Sequence, residues 1–313
     1  MPESGSTQRH PFVSLLLLLL LVFAGAIIFT ILGAVIAGVV YGFSDLLKFF
    51  AGDMGANLPL TKLIQIFSST GMFIIPAIVF ARMESHNWQG YLKLNPFIFV
   101  LFLLTIVIMY FSVPLLELSV EINNGMKLPA FLREVEEWMR QKEDQMAELT
   151  KQLLVMKTVW ALLVNLLMLA VIPAIGEELL FRGCLQKIFH RITKNYHLAI
   201  WITAIIFSAI HIQFYGFIPR LLLGAMFGYL LVWGNTLWLP ILAHFVNNAT
   251  AVITAYVYQQ QGRNLDELMK AETSSWLVYL ASFAVTAIML WTFYQKSQQQ
   301  KLFIKNTDGA RLD

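Results

Sequence analysis

Long apolar runs separated by short polar segments set the organisation of this chain. The first, Pro11 to Tyr41, contains no charged residue and is long enough to cross a bilayer with some tilt. Similar runs extend from Leu60 to Ala81, Phe97 to Leu116, Thr158 to Gly176, Leu198 to about Phe217, Leu221 to Trp233, Trp238 to Tyr258 and Trp276 to Tyr294. A hydrocarbon core about 30 Å thick needs roughly 20 apolar residues per helical crossing. The pattern therefore predicts an all-α polytopic membrane protein with about eight transmembrane helices around a polar cavity. Ala24-Gly25-Ala26 has the small residues of a signal-peptidase site, but the apolar run continues well beyond it. A retained signal anchor is expected.

Two segments break the pattern. Residues 117–151 are charged and helical in propensity, too polar to span, and predict an extramembrane amphipathic helix or helical hairpin lying on the bilayer. Residues 181–197 are basic and amphipathic, which fits an interfacial connection after the fourth run. Within that run, Pro173 removes one backbone hydrogen bond and frees the carbonyl of Leu169.

Composition narrows the class further. The chain is 58% hydrophobic and 13% charged, against about 25% charged in a soluble domain, so the apolar runs are not an artefact of one segment. A net charge of +3 with no basic-aromatic patch argues against a nucleic-acid partner. Cys184 is the sole cysteine, which excludes an intramolecular disulfide and Cys-based zinc sites; it reads as a small packing residue. Basic residues orient the chain. Arg9, Arg82, Lys93, Lys187, Arg191, Lys194, Lys296, Lys301, Lys305 and Arg311 fall in alternate connections and the tails. The short opposite loops hold Lys48, Arg220, Arg263 and Lys270. The bias predicts both termini on the cytoplasmic side of the cytoplasmic (inner) membrane, with 117–151 external. No repeat or low-complexity linker is visible. One domain is expected over 1–313, with a motif-bearing core at about 155–260.

The costly residues close the fourth run: Gly176-Glu177-Glu178-Leu179-Leu180-Phe181-Arg182-Gly183. Each charge would cost about 2.5–3.5 kcal/mol at a bilayer centre, so such residues are rarely idle. Glu178 and Arg182 stand four apart on one helical face and can pair. Glu177 is rotated about 100° away, without a partner at helical spacing, and is left for chemistry. Of six histidines, only His211 and His244 fall in apolar runs, and Asn248 follows His244 by one turn. Lys194 stands midway between Glu177 and His211, inside the polar connection. A chain reversal there would set the two at one height across an antiparallel helix pair.

These residue types suit water-driven cleavage of an acyl bond. A buried carboxylate can take a proton from water near neutral pH, and a facing imidazole can share that role or hold a metal that activates the water. Glu177, His211 and His244 make a two-histidine, one-carboxylate set of the catalytic zinc type. His244 and Asn248 could instead donate to a tetrahedral oxyanion, where losing one donor costs about 10²–10³ in rate. No protein nucleophile is implied. The chain has no Gly-x-Ser-x-Gly and no His-Glu-x-x-His, and Cys184 lacks an in-register histidine.

Glu-Glu-x-x-x-Arg at 177–182, Phe-x-x-x-His at 207–211 and His-x-x-x-Asn at 244–248, in that order, resemble the three motifs of the CAAX protease and bacteriocin-processing (CPBP, or Abi) family. That family includes the Ras-converting CAAX endopeptidases. The resemblance covers about 160–260. It implies an intramembrane endopeptidase acting on peptide or protein substrates at the bilayer. Glu177 would be the general base and His211 would activate water or ligate a metal. His244 and Asn248 would contact the oxyanion or ligate, with Glu178 and Arg182 orienting. Both a Zn²⁺-dependent and a metal-free glutamate mechanism stay open. Two other functions fit intramembrane Glu and His residues. One is a non-catalytic scaffold or bacteriocin-immunity protein, disfavoured because no motif residue is lost. The other is a proton-coupled transporter, disfavoured because no interrupted helices pair between two halves.

Overall fold

The computed structural model describes residues 9–265 and 274–309, with side chains through Gln299; Lys270, Arg311 and the first eight residues of the polar start lie outside the described residues. Among the described residues every regular element is helical. We number them α1 Pro11–Tyr41, α2 Phe43–Phe50, α3 Leu58–Glu84, α4 Trp88–Tyr91, α5 Phe99–Asn124, α6 Arg133–Leu153, α7 Val159–Thr193, α8 Tyr196–Ala209, α9 Phe217–Gly234, α10 Trp238–Gln260 and α11 Trp276–Gly309.

Local signals account for the ends. Pro11 opens α1 at a position whose N–H needs no helical partner. Asn57, Thr158 and Asn195 each accept a backbone N–H of the first turn they precede, at α3, α7 and α8. Lys194 and Asn235 adopt left-handed conformations (φ 55° and 53°) that stop α7 and α9.

α7 is the central element. Wide π turns at Leu167–Val171 and Leu179–Leu185 let it pass Pro173 and Gly183 without breaking. Residues 176 to 186 are buried all round, as expected for a helix enclosed by others rather than facing lipid. It packs on α1 and α3 on one side and on α8 and α10 on the other. α8 and α9 form an antiparallel pair, and α11 lies along α5. α1 meets α3 at Gly25 and Gly71. A Cβ at Gly25 would collide with the carbonyl oxygen of Gly71, and one at Gly71 with Phe29. At one end of the bundle Glu84, almost fully buried, receives Arg9 and Arg191, each at 3.1 Å, and Ser14. The start of α1, the end of α3 and the end of α7 are thereby tied together.

Several expectations need correction. Among the described residues six helices are long and apolar enough to cross a membrane by length and composition, against about eight expected: α1, α3, α5, α7, residues 214–234 including α9, and α11. α10 has 23 residues, a sufficient length, but His244, Asn247, Asn248 and Gln259 lower its apolarity. α8 has 14 residues, about 21 Å, too short to cross alone; the fifth run ends at Ala209 rather than near Phe217. The fourth run does not stop at Gly176. Residues 181–193 continue the same 35-residue helix, with 181–186 enclosed by protein and the chain reversing only at Lys194. The third helix likewise runs through Asn124, so the polar insertion starts later than 117 and is a single helix, α6, not a hairpin.

Candidate active site

The i, i+4 spacing on α7 makes its pair: Arg182 Nη1 donates to Glu178 Oε1 at 2.7 Å, with both side chains fully buried. Arg182 Nη2 also donates to the carbonyl of Gly224 on α9, at 2.9 Å. Its guanidinium carbon lies 4.6 Å from the ring centroid of Phe207 and 5.4 Å from that of Phe227. A buried charge of this kind is tolerable only with such partners. Two atoms stay unsatisfied within the protein, Glu178 Oε2 and Arg182 Nε.

Glu178 has a second partner. His244 Nδ1 on α10 lies 3.0 Å from Glu178 Oε1. A carboxylate engaged by arginine accepts, so Nδ1 carries the proton and Nε2 is turned the other way. It faces Glu177, with Nε2 to Oε2 at 3.9 Å, beyond direct hydrogen bonding. Phe227 stacks on the imidazole (5.3 Å, 22°) and Phe207 meets it edge-on at 6.1 Å, which fixes the ring plane.

The chain reverses at Lys194, and Glu177 and His211 both line one cavity of about 530 Å³ between α1, α3, α7 and the end of α8. Its remaining wall is mainly apolar, including Leu18, Val22, Phe73 and Phe181, with Gln65, Ser68 and Ser69 on α3 as a polar strip. His211 does not sit inside a helix, as its apolar surroundings imply, but in the turn that ends α8. Its Nδ1 lies 2.8 Å from the carbonyl of Phe207, which can only accept. Nε2 therefore carries the lone pair.

Asn248 stands apart from the cavity lining. Its Nδ2 donates to the carbonyl of Leu169 at 2.9 Å, and its Oδ1 accepts from Asn247. Cys184 is buried beside the carbonyl of Ala77.

The turn carrying His211 depends on residues that sequence reasoning did not single out. Non-helical backbone among membrane helices must have its polar groups met by protein. Asn123 of α5 does this twice, donating to Phe214 O at 2.8 Å and accepting from Ile218 N at 2.7 Å. Ser208 Oγ donates to Phe217 O, and Arg220 donates to both oxygens of Gln213. From α6, Glu143 accepts from Tyr215 N at 3.3 Å, Trp138 packs on Phe214 and Arg140 on Tyr215. Ile212 adopts φ 52°, a conformation costly for a β-branched residue. The available signal was an asparagine near the end of a spanning run, which has to find partners.

For a metal, the residue types fit and the arrangement does not. Glu177, His211 and His244 supply suitable donor atoms, yet among the described residues no three His, Cys, Asp or Glu side chains gather closely enough to hold one ion.

Residues 159–250, which contain all three motifs, match the family model described as Type II CAAX prenyl endopeptidase Rce1-like. The motif-bearing part of the chain is therefore similar to that endopeptidase family, in agreement with the motif resemblance. The chain is also similar to YpbD of Bacillus subtilis (strain 168), described as an uncharacterized protein. The two are 29% identical over 89 residues, 27% of this chain and 42% of that protein, so less than half of the relative's length is spanned. No solved structure matches the chain.

Proposed function

We propose that this protein is an intramembrane endopeptidase that hydrolyses peptide bonds of membrane-associated peptides or proteins with water activated by Glu177 and histidine. The observation that carries this reading is the placement of Glu177 and His211 on one apolar cavity, with His244 Nε2 turned toward Glu177. An extended peptide entering from the bilayer would find an apolar wall carrying a carboxylate and an imidazole, with a second imidazole, His244, beside the carboxylate.

The chemistry follows from those atoms. Water donates one hydrogen to Glu177 and the other to a histidine Nε2. As its oxygen bonds to the scissile carbonyl carbon, the proton passes to Glu177 and the carbonyl oxygen becomes an oxyanion. Glu177 then gives that proton to the amide nitrogen, the C–N bond breaks, and an amine and a carboxylic acid leave. His244, its Nδ1–H held by Glu178, keeps Nε2 directed at Glu177 and the attacking water. Glu178 and Arg182 hold that imidazole and touch no substrate. The described residues give no reason to route a step through a metal.

Both termini are proposed to face the cytoplasm. Grouping of Arg9, Glu84 and Arg191 at one end of the bundle supports this, because these sites come from segments assigned to one side by charge.

The test is cleavage of a peptide library by purified wild type, Glu177→Ala and His211→Ala, with and without chelator. Wild-type turnover that is lost in both variants is expected. Equal turnover in all three would sink the mechanism.

A further inference from the structure

A second cavity, of about 310 Å³, lies on the other side of Arg182 from the candidate active site. It is formed by the last turns of α7, the first turn of α8, the end of α9 and the segment after α4. Lys93, Lys187 and His190 line it, with Tyr196 at the rim and Gln186 and Arg182 within. No aspartate or glutamate is among the lining residues. Lys187 Nζ sits 4.0 Å from the ring centroid of Tyr91, an arrangement that keeps the ammonium oriented without neutralising it. Gln186 Oε1 and Arg182 Nε are buried without a hydrogen-bond partner in the protein. Buried polar atoms of this kind point to a group the protein does not itself supply.

The opposite wall is apolar, built from Ala199, Leu231 and Val232. Cations beside an apolar wall, between helices that cross a membrane, suit an amphiphile whose head is anionic. Basic pockets of this sort between transmembrane helices hold acidic lipid head groups. We propose that this cavity binds the phosphate head group of an acidic phospholipid, with Lys93, Lys187 and His190 on the phosphate and the acyl chains along Leu231 and Val232. A free phosphate ion offers the same anion chemistry but leaves the apolar wall uncovered. The binding proposal does not rest on the proposed hydrolysis. Because Arg182 also holds Glu178, occupancy at one side bears on the pair at the other.

Native mass spectrometry of the purified full chain, titrated with short-chain phosphatidylglycerol, short-chain phosphatidylcholine or inorganic phosphate, tests the proposal. Phosphatidylglycerol should bind more tightly than phosphatidylcholine. Lys187→Gln and Lys93→Gln should each weaken it by about fivefold, while Lys142→Gln on α6 leaves it unchanged. Equal binding of the two lipids, or indifference to both cavity variants, overturns the proposal. Displacement of phosphatidylglycerol by equimolar inorganic phosphate overturns the lipid assignment. Should Lys187→Gln fail to fold, Lys93→Gln and the wild-type lipid comparison still decide.

Discussion

Asn248 donates its side-chain amide to the carbonyl of Leu169 (2.9 Å), the helical acceptor whose i+4 donor position is occupied by Pro173. A defect in one helix is thus closed by the motif asparagine of another. Asn248→Ala should destabilise the protein by about 1–3 kcal/mol, the cost of leaving a buried carbonyl unpaired. Pro173→Ala supplies a backbone N–H for the same carbonyl, so the double variant should recover most of the loss in detergent melts. Activity separates the two roles open to Asn248. A structural cap predicts recovery of turnover in the double variant, whereas an oxyanion donor predicts a persistent deficit of about 10²–10³.

The adjacent glutamates should respond in opposite ways. Glu177→Gln keeps the shape of a side chain with no close charge partner, so the melt should hold while turnover falls by about 10²–10⁴. Glu178→Gln strips the carboxylate from buried Arg182 and from His244, and should cost about 3–5 kcal/mol of stability. A stable but inactive Glu178→Gln would show that its role is chemical and not a brace.

Asn123 offers a test of how the His211 turn is held. Asn123→Ala unpairs Phe214 O and Ile218 N, freeing a turn whose displacement by an ångström can cost about 10²-fold. The expected signature is a fall in kcat with KM little changed. A KM effect alone would assign the turn to substrate binding.

Chelation gives a fourth outcome. Turnover in the presence of a strong zinc chelator should stay within about twofold of the untreated enzyme, since Glu177, His211 and His244 do not close around one ion. Loss on chelation that zinc alone restores would require the cavity to contract on substrate.

Cys184 should remain unmodified by maleimide until the protein unfolds, and Cys184→Ser should retain turnover. Labelling of the native protein would show that the α3–α7 contact opens.

Local spacing was the legible part of the site. The Glu178–Arg182 pair, the carbonyl freed at Leu169 and the reversal at Lys194 each depend on residues close in sequence or on simple symmetry about a turn, and each is present in the fold. What hydropathy misplaced was depth. It ended the fourth run at Gly176 because a polar residue counts the same whether lipid, water or another helix covers it; Arg182 and Gln186 are covered by α8 and α9. The same blindness lengthened α8, whose apolar side chains continue into a turn that Asn123 and Arg220 support from elsewhere. Neither that support nor the Phe207–Phe227 enclosure of His244 has a sequence signature, since each joins residues far apart in the chain.

The contact of Gly25 with Gly71 has a consequence for selectivity. α1 and α3 form two walls of the cavity that holds Glu177, and their separation at this height is set by the absence of two methyl groups. The bore of the cavity is therefore encoded by what these positions lack. In the proposed endopeptidase, alanine at Gly25 would work as a spacer, and the width of side chain admitted would become a quantity adjustable one carbon at a time, far from the residues proposed for chemistry.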